Sequence, residues 1–181
     1  MGLAVVHGII KAHGGAIHVD SQPGKGSAIE VYLPRVEKDI TAKTTQKAPL
    51  TGGTERILFV DDEESLVEMW QEVLEGLGYK VIGKTSSADA LACFQEQPDH
   101  FDLVITDQTM PHMTGFGLAK KLLQIRPTIP IILCTGFSDT ITPEQAKASG
   151  IREYLMKPLS IQDLNAAIRR VVKTGDQGGQ A

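Results

Sequence analysis

Two patterns of hydrophobic and polar positions run along the chain, and they divide it near residue 53. From residue 54 to about 173, short apolar runs alternate with segments whose apolar residues recur every three or four positions. The first pattern is typical of buried strands, and the second of helices that bury one face. The candidate strands are RILFV, YKVIGKT, DLVITD, PIILCTG and REYLMKP. This alternation predicts an α/β fold with a doubly wound, five-stranded parallel sheet covered on both faces.

Residues 1–35 follow a different pattern, which predicts one amphipathic helix and two short strands. The helix ends at Gly14-Gly15, and the strand segments AIHVDS and SAIEVYLP are joined by the turn QPGKG. Because one helix and two strands cannot bury their own apolar face, we expect this fragment to be poorly stable, to dock against another surface or to depend on a second chain. Residues 36–53 lack periodicity and are predicted to be a linker, and residues 174–181 a disordered tail.

Composition excludes some classes of function. The apolar runs are too short to cross a bilayer, so no membrane segment is expected. Residues 54–173 carry 12 basic and 17 acidic side chains, a net charge of −5, which argues against direct nucleic-acid binding. Cys93 and Cys134 provide no disulfide framework and favour a cytoplasmic location.

The carboxyl ends of four predicted strands carry polar side chains. Asp61 and Asp62 follow the first strand, Asp107 ends the third, Thr135 the fourth and Lys157 the fifth. Each alone has the ordinary explanation that strand ends are solvated. Parallel strands, however, end at the same edge of a sheet, where ligands bind. The whole set therefore favours a functional site.

The chemistry of this set points to phosphoryl transfer. Three clustered carboxylates are expected, and each pair about 4 Å apart would repel by roughly 4 kcal/mol at an effective dielectric constant near 20, so a divalent cation is needed. Oxygen ligands without His or Cys favour Mg²⁺ over zinc. With Lys157 and Thr135 as donors, the site would suit an incoming phosphoryl group, and Asp107 would form an acyl phosphate.

Four segments, ILFVDDEE, DLVITDQTMPHMTG, IILCTG and YLMKP, resemble the signature segments of response-regulator receiver domains. The resemblance covers about residues 54–173 and implies a flavodoxin-like strand order of 2-1-3-4-5. It implies that Asp107 is the phosphoacceptor. It also implies that Mg²⁺ is held by Asp61, Asp62, Asp107 and the backbone carbonyl of Thr109.

The resemblance assigns roles to residues near the phosphoacceptor as well. Thr135 and Lys157 would contact the phosphoryl oxygens, Tyr154 would be an aromatic switch, and the Lys157-Pro158 bond would be cis. Thr109 and Phe137 would control water access to the acyl phosphate.

The implied function is a receiver in a two-component phosphorelay. Its phosphoryl group would come from a phosphohistidine on a histidine kinase or a histidine phosphotransfer protein. Such a receiver dephosphorylates itself and is not counted as an enzyme. Homodimer formation stays open.

The segment MGLAVVHGIIKAHGGAIHVDSQPGKGSAIEVYLP resembles the last third of a histidine-kinase ATP-binding domain. This implies a hybrid histidine kinase with a C-terminal receiver as the parent protein. The ATP-binding residues and the phosphorylated histidine of that family lie in segments that this sequence does not contain. We therefore expect no kinase activity from this chain.

Two alternative functions are weighed against the receiver. One is an ATP-dependent histidine kinase, which ATP binding would reveal. The other is a magnesium-dependent phosphatase of the haloacid-dehalogenase class, which also uses an aspartate nucleophile. That class needs a second aspartate two residues after the nucleophile, where this chain has Thr109.

Overall fold

The computed structural model describes residues 3–35, 51–136 and 141–175. They belong to two compact units, which divide between residues 46 and 47. Most of the predicted linker, most of the predicted tail and Phe137 lie outside the described residues.

The first unit consists of a helix and an antiparallel hairpin. Helix α1 spans Leu3–Ala12, and strands β1 and β2 span Ala16–Gln22 and Gly26–Tyr32. Ala16 pairs with Tyr32 at the open end, and Gln22 pairs with Gly26 next to the turn. Gly24 and Gly26 have φ angles of 76° and 98°, which glycine adopts readily, so the turn closes where the sequence predicts it.

Most apolar side chains of the first unit are exposed. Val19 and Ile29 face each other across the two strands, yet they are 47% and 50% exposed. Within residues 6–35, Ile10 is the buried side chain. A sheet buries its apolar face only when a second layer covers it. The expectation of an incompletely covered apolar face therefore agrees with the described residues, whereas the low stability of this unit stays a prediction.

The second unit contains a five-stranded parallel sheet, and this confirms the predicted fold class. The strand order is β4-β3-β5-β6-β7, which is 2-1-3-4-5 when counted within the unit. The strands are β3 (Arg56–Val60), β4 (Lys80–Lys84), β5 (Leu103–Asp107), β6 (Ile131–Thr135) and β7 (Glu153–Met156). Every residue of β5 and β6 is buried, because helices cover both faces of the sheet.

Five α-helices pack on this sheet and form an apolar core on each face. They are α2 (Glu64–Gly76), α3 (Ser87–Glu96), α4 (Gly115–Ile125), α5 (Pro143–Ala148) and α6 (Ile161–Gly175), with a 3₁₀ turn at Pro98–His100. Trp70 and Leu74 of α2 join Leu164 and Ile168 of α6 in one core. Residues of α3, α4 and α5 form the other core. The side chains of Ser86, Thr114 and Thr142 cap the first turns of α3, α4 and α5.

The end of the predicted linker belongs to the second unit and packs against its helices. The Asn165 Nδ2 donates to the carbonyl oxygen of Thr51 at 3.3 Å. A Cβ atom at Gly52 would overlap the carbonyl of Leu77, so glycine permits a close approach to the end of α2. Ordered packing thus begins before residue 54, and α6 ends at Gly175 rather than at the predicted residue 173.

Candidate functional site at the carboxyl edge of the sheet

The strand order places two aspartates on either side of a crevice at the carboxyl edge. The chain runs from β3 outward to β4 and then returns to β5 on the opposite side of β3. Asp61 directly follows β3, and Asp107 is the last residue of β5. The strand order reverses between these two strands, and such crevices bind ligands in open parallel sheets.

Lys157 bridges the two aspartates. Its Nζ lies 2.9 Å from Asp61 Oδ2 and 2.6 Å from Asp107 Oδ1. Both aspartates are buried, with exposed fractions of 4% and 6%. The ammonium group between them therefore forms an ion pair with each aspartate.

Backbone N–H groups orient the remaining carboxylate oxygens. The N–H of Thr109 donates to Asp107 Oδ2 at 2.7 Å, and the N–H of Glu63 donates to Asp61 Oδ1 at 3.0 Å. Each carboxylate therefore has one oxygen held by the backbone and the other by Lys157. This arrangement fixes the rotation of both carboxylate groups without using further side chains.

Lys157 itself is fixed by the strand next to β7. Its backbone N–H donates to the carbonyl oxygen of Thr135 at 2.7 Å, and the Lys157-Pro158 peptide bond is cis. Burial lowers the pKa of Lys157, but hydrogen bonds and charges from Asp107 and Asp61 outweigh burial and raise it above its ordinary value. Lys157 therefore stays positively charged at neutral pH.

A chain of hydroxyl groups lies at the ends of β6 and β7. Thr135 is fully buried, and its Oγ1 donates to the Tyr154 hydroxyl at 2.9 Å. The Tyr154 hydroxyl in turn donates to the carbonyl oxygen of Ile141 at 3.1 Å, shortly before α5. Thr135 Oγ1 also lies 3.9 Å from the Sδ atom of Met156. A change at Thr135 can therefore reach the beginning of α5 through Tyr154.

Comparison with known proteins agrees with this geometry. Residues 57–169 match the response regulator receiver domain family, which covers more than half of the chain. The chain belongs to this receiver family. A solved receiver domain from Clostridium thermocellum is 32% identical and superposes with a TM-score of 0.65 over 68% of this chain and 98% of that one.

Two sensor proteins are similar over nearly the whole chain. Sensor kinase CckA of Brucella abortus is 30% identical across 97% of this chain, and virulence sensor protein BvgS of Bordetella bronchiseptica is 28% identical across 94%. The chain spans only 20% and 15% of the lengths of these proteins. Among the residues that the structure describes, no helix is both long enough and apolar enough to span a membrane.

The receiver differs from the sequence expectation in its group of acids. Three clustered carboxylates are expected, but Asp61 and Asp107 come together whereas Asp62 is exposed. Within the described ranges, no three Asp, Glu, His or Cys side chains gather closely enough to hold a metal ion. The chain bends at Asp62 between β3 and α2, and this bend leaves the Asp62 side chain exposed.

The donor set of the receiver nevertheless fits Mg²⁺. Two carboxylate oxygens, from Asp61 and Asp107, already converge on one cation, the Lys157 ammonium. Mg²⁺ commonly takes one or two carboxylates and keeps several water molecules, so a third converging carboxylate is not required. Receiver domains bind Mg²⁺ in general, and nothing in this donor set opposes it.

An apolar cleft lies beside the acids and is not predicted from the sequence. The cleft encloses about 530 Å³, and its walls include Leu66, Met69 and Trp70 of α2 together with Asp107 and Lys157. The helical spacing of these three apolar residues predicts that they share a buried face, but Met69 is 43% exposed. Periodicity reports the face of a helix and cannot show where that face extends past the edge of the sheet.

Two further residues near Asp107 are not predicted from the sequence. The side-chain oxygen of Gln108 accepts the Phe116 N–H at 3.0 Å, which holds the first turn of α4 next to Asp107. Met156 contacts Thr135, as described above. The sequence signal that could have identified them is their position, because Gln108 directly follows Asp107 and Met156 directly precedes Lys157.

Proposed function

We propose that Asp107 of this receiver accepts a phosphoryl group from the phosphohistidine of a histidine kinase or a histidine phosphotransfer protein. The observation that carries this proposal is the arrangement of its carboxylate. Asp107 is buried, the Thr109 N–H holds one oxygen and Lys157 contacts the other. A carboxylate held in one orientation beside a cation suits nucleophilic attack on phosphorus.

In the proposed transfer, an oxygen of Asp107 forms a bond to phosphorus as the bond between phosphorus and the donor imidazole nitrogen breaks. The electron pair of the broken bond returns to the imidazole, which takes up a proton from solvent. Lys157, 2.6 Å from Asp107 Oδ1, lies where it neutralises a phosphoryl oxygen. The apolar cleft beside Asp107 leaves the acids accessible to a donor.

We also propose that Mg²⁺ is held by Asp61, Asp62, Asp107 and the backbone carbonyl of Thr109. When bound, the metal supplies positive charge that offsets the charge of the phosphoryl oxygens. Trp70, the single tryptophan of the chain, lines the same cleft and therefore reports on the site. We expect Mg²⁺ to change Trp70 fluorescence in the wild type and not in Asp61→Asn. Equal titrations of both proteins would contradict this ligand set.

The hydroxyl chain supports a role for Thr135 and Tyr154 as the conformational switch. A phosphoryl oxygen on Asp107 would compete for the Thr135 hydrogen, which Tyr154 now accepts at 2.9 Å. Tyr154 would then lose one of the two hydrogen bonds that hold its hydroxyl. Its movement would alter the beginning of α5 and so present a different surface to a partner.

Phosphorylation with a small donor tests the proposed acceptor. The protein is incubated with phosphoramidate and Mg²⁺, and the modified peptide is identified by mass spectrometry. We expect one phosphoryl group on the wild type and none on Asp107→Asn. Asp102→Asn is the matched control, because Asp102 immediately precedes the same strand at its amino end. Labelling of Asp107→Asn at the rate of the control would overturn the assignment.

The first unit supports a wider proposal about the parent protein. We propose that residues 1–35 come from the end of a histidine-kinase ATP-binding domain. The similarity to CckA and BvgS extends over 97% and 94% of the chain and so includes this unit. Signalling would then proceed through protein partners, with a homodimer as one arrangement to test by light scattering. The free thiols Cys93 and Cys134 support a reducing location such as the cytoplasm.

A further inference from the structure

Met156 is the most exposed of the described methionines. It is 47% exposed, and Met69 is 43% exposed, whereas Met110 is 7% exposed and Met113 is half-buried. Peroxides oxidise accessible thioethers, and the sulfoxide that forms is polar and is reduced back by dedicated enzymes. Exposure alone therefore makes Met156 and Met69 equally good targets.

Contact with the hydroxyl chain separates Met156 from Met69. Met156 is paired with Thr135 in the register of β6 and β7, and its Sδ lies 3.9 Å from Thr135 Oγ1. A thioether sulfur is a weak acceptor, and the Thr135 hydroxyl has one hydrogen to donate. That hydrogen is now directed to Tyr154 at 2.9 Å. A stronger acceptor at the sulfur position would compete for it.

We propose that Met156 is a redox modification site whose oxidation uncouples Thr135 from the phosphoryl group and from Tyr154. A peroxide transfers one oxygen atom to Sδ, so the thioether loses two electrons and becomes a sulfoxide, while the peroxide is reduced to water or an alcohol. The sulfoxide oxygen then accepts the Thr135 hydrogen bond. This inference rests on the proposed function, because it concerns the response to phosphoryl binding.

Acceptance of the phosphoryl group is expected to survive the oxidation. The contacts that orient Asp107 come from Thr109 and Lys157, and neither uses the sulfur of Met156. Oxidation would thus separate two steps, since Asp107 is still phosphorylated but Tyr154 no longer responds.

The cysteines do not offer an equivalent target at this site. Burial raises the pKa of Cys134 to about 12, so this residue stays a thiol and reacts slowly with peroxide. Cys93 is half-buried in α3. Treatment with dithiothreitol after oxidation restores oxidised thiols and leaves methionine sulfoxide in place.

The test measures the response of Tyr154 directly. The full chain is labelled with fluorotyrosine, which gives signals from its three tyrosines, Tyr32, Tyr79 and Tyr154. The Tyr154 signal is assigned by Tyr154→Phe. Beryllofluoride with Mg²⁺ is added as a phosphoryl mimic before and after peroxide and dithiothreitol treatment, and mass spectrometry measures the sulfoxide at each methionine.

We expect beryllofluoride to shift the Tyr154 signal in the reduced protein. After oxidation we expect the beryllofluoride-induced shift of the Tyr154 signal to be about fivefold smaller. A change of this size corresponds to the free energy of one hydrogen bond. Oxidised Met156→Leu should keep the full response, whereas oxidised Met69→Leu should lose it as the wild type does. Met156→Gln, which places an amide acceptor at this position, should respond weakly without any oxidant.

Two results would overturn the inference. One is a full Tyr154 response in wild type whose Met156 is oxidised, and the other is equal loss in oxidised Met156→Leu. Failure of the proposed function is recognised separately. In that case the reduced wild type shows neither phosphorylation of Asp107 nor any response to beryllofluoride, and the inference falls with it.

Discussion

The two units of this chain use similar apolar residues with opposite results. The strands of the first unit alternate apolar and polar residues as a half-buried sheet requires, yet Val19, Ile29 and Val31 are each about half exposed. In the second unit Leu103, Ile105 and Ile132 occupy comparable strand positions and are fully buried. The difference is the number of layers, because helices cover both faces of the five-stranded sheet. A correct pattern is therefore a requirement for a core and does not by itself produce one.

The same contrast appears in the polar groups. In the receiver, Asp61 and Asp107 are buried and are satisfied by Lys157 and by backbone N–H groups. In the first unit, the polar contacts that the structure shows, such as Tyr32 with Glu30 and Ser21 with Ser27, are exposed. Exposed hydrogen bonds exchange with water at little cost, whereas the removal of a buried partner leaves an unpaired charge.

The largest expected effect comes from cutting back one apolar side chain in each unit. Phe94 is fully buried and stacks on Phe101 at 5.9 Å, so Phe94→Ala should lower the free energy of unfolding by about 3–5 kcal/mol. Ile29→Ala, at a position 50% exposed, should change it by less than about 0.5 kcal/mol. Urea denaturation of both variants measures the difference. Equal losses would show that the hairpin is covered in solution.

A glycine in each unit gives the second contrast. A Cβ at Gly115, the first residue of α4, would overlap the carbonyl of Asp107, and Gly115→Ala should cost about 1–3 kcal/mol through overpacking. Gly8 lies inside α1 with no atom within 4 Å of an added Cβ. Gly8→Ala should therefore raise the helix content of the first unit and stabilise α1 by up to about 1 kcal/mol. Circular dichroism and thermal denaturation distinguish these outcomes, and stabilisation by both variants would contradict the packing.

Removal of Lys157 is the third test. Lys157→Ala leaves Asp61 and Asp107 side by side without their cation and should lower the free energy of unfolding by about 2 kcal/mol, less than for a fully buried pair. Mg²⁺ should restore more stability to this variant than it adds to the wild type. In the variant the Lys157 ammonium is missing, so Mg²⁺ is the cation that relieves the repulsion between the two aspartates. Calorimetry with and without Mg²⁺ measures this, and an identical Mg²⁺ effect on both proteins would oppose the proposed ligands.

The smallest effect is expected from a surface ion pair. The hydrogen bond from Arg56 lowers the pKa of Asp102 from its usual range. A lowered pKa in the folded state means that the stabilisation is present above the pKa of the unfolded chain and is lost as the pH falls through the folded value. Asp102→Asn should cost about 1 kcal/mol or less near neutral pH, since the pair is more than one-third exposed.

The pH dependence provides the check on this pair. The difference between Asp102→Asn and the wild type should fade in acid, below the ordinary aspartate pKa of about 4. Glu30→Gln in the hairpin should change nothing measurable at either pH, because the Glu30 side chain is exposed. A pH-independent effect of Asp102→Asn would show that its packing, rather than its charge, contributes.

The parts of the receiver site that could be predicted are those at strand ends. Asp107, Thr135 and Lys157 stand at the ends of apolar runs that predict buried strands, and parallel strands end at one edge. The inward position of Asp61 and the exposure of Asp62 could not be read in this way. Both directly follow the same strand, and the choice between them depends on where the chain turns into α2.

Side-chain partners were also beyond prediction. Nothing in the sequence spacing shows that Tyr154 and Met156 both lie within reach of the Thr135 hydroxyl. These contacts depend on the register between β6 and β7. The apolar cleft could not be predicted either. The periodicity of α2 assigns Met69 to a buried face, whereas its position at the edge of the sheet makes it part of the cleft wall.

The amino-acid sequence alone determined which segments are strands and helices, because apolar period and capping residues act locally along the chain. It also determined which chemical groups stand at the strand ends. Only the tertiary structure decided which two acids share Lys157, which hydroxyls meet, and which apolar faces find cover. Those outcomes depend on contacts between residues far apart in the sequence, and the free energy of such contacts exists only once the layers have assembled.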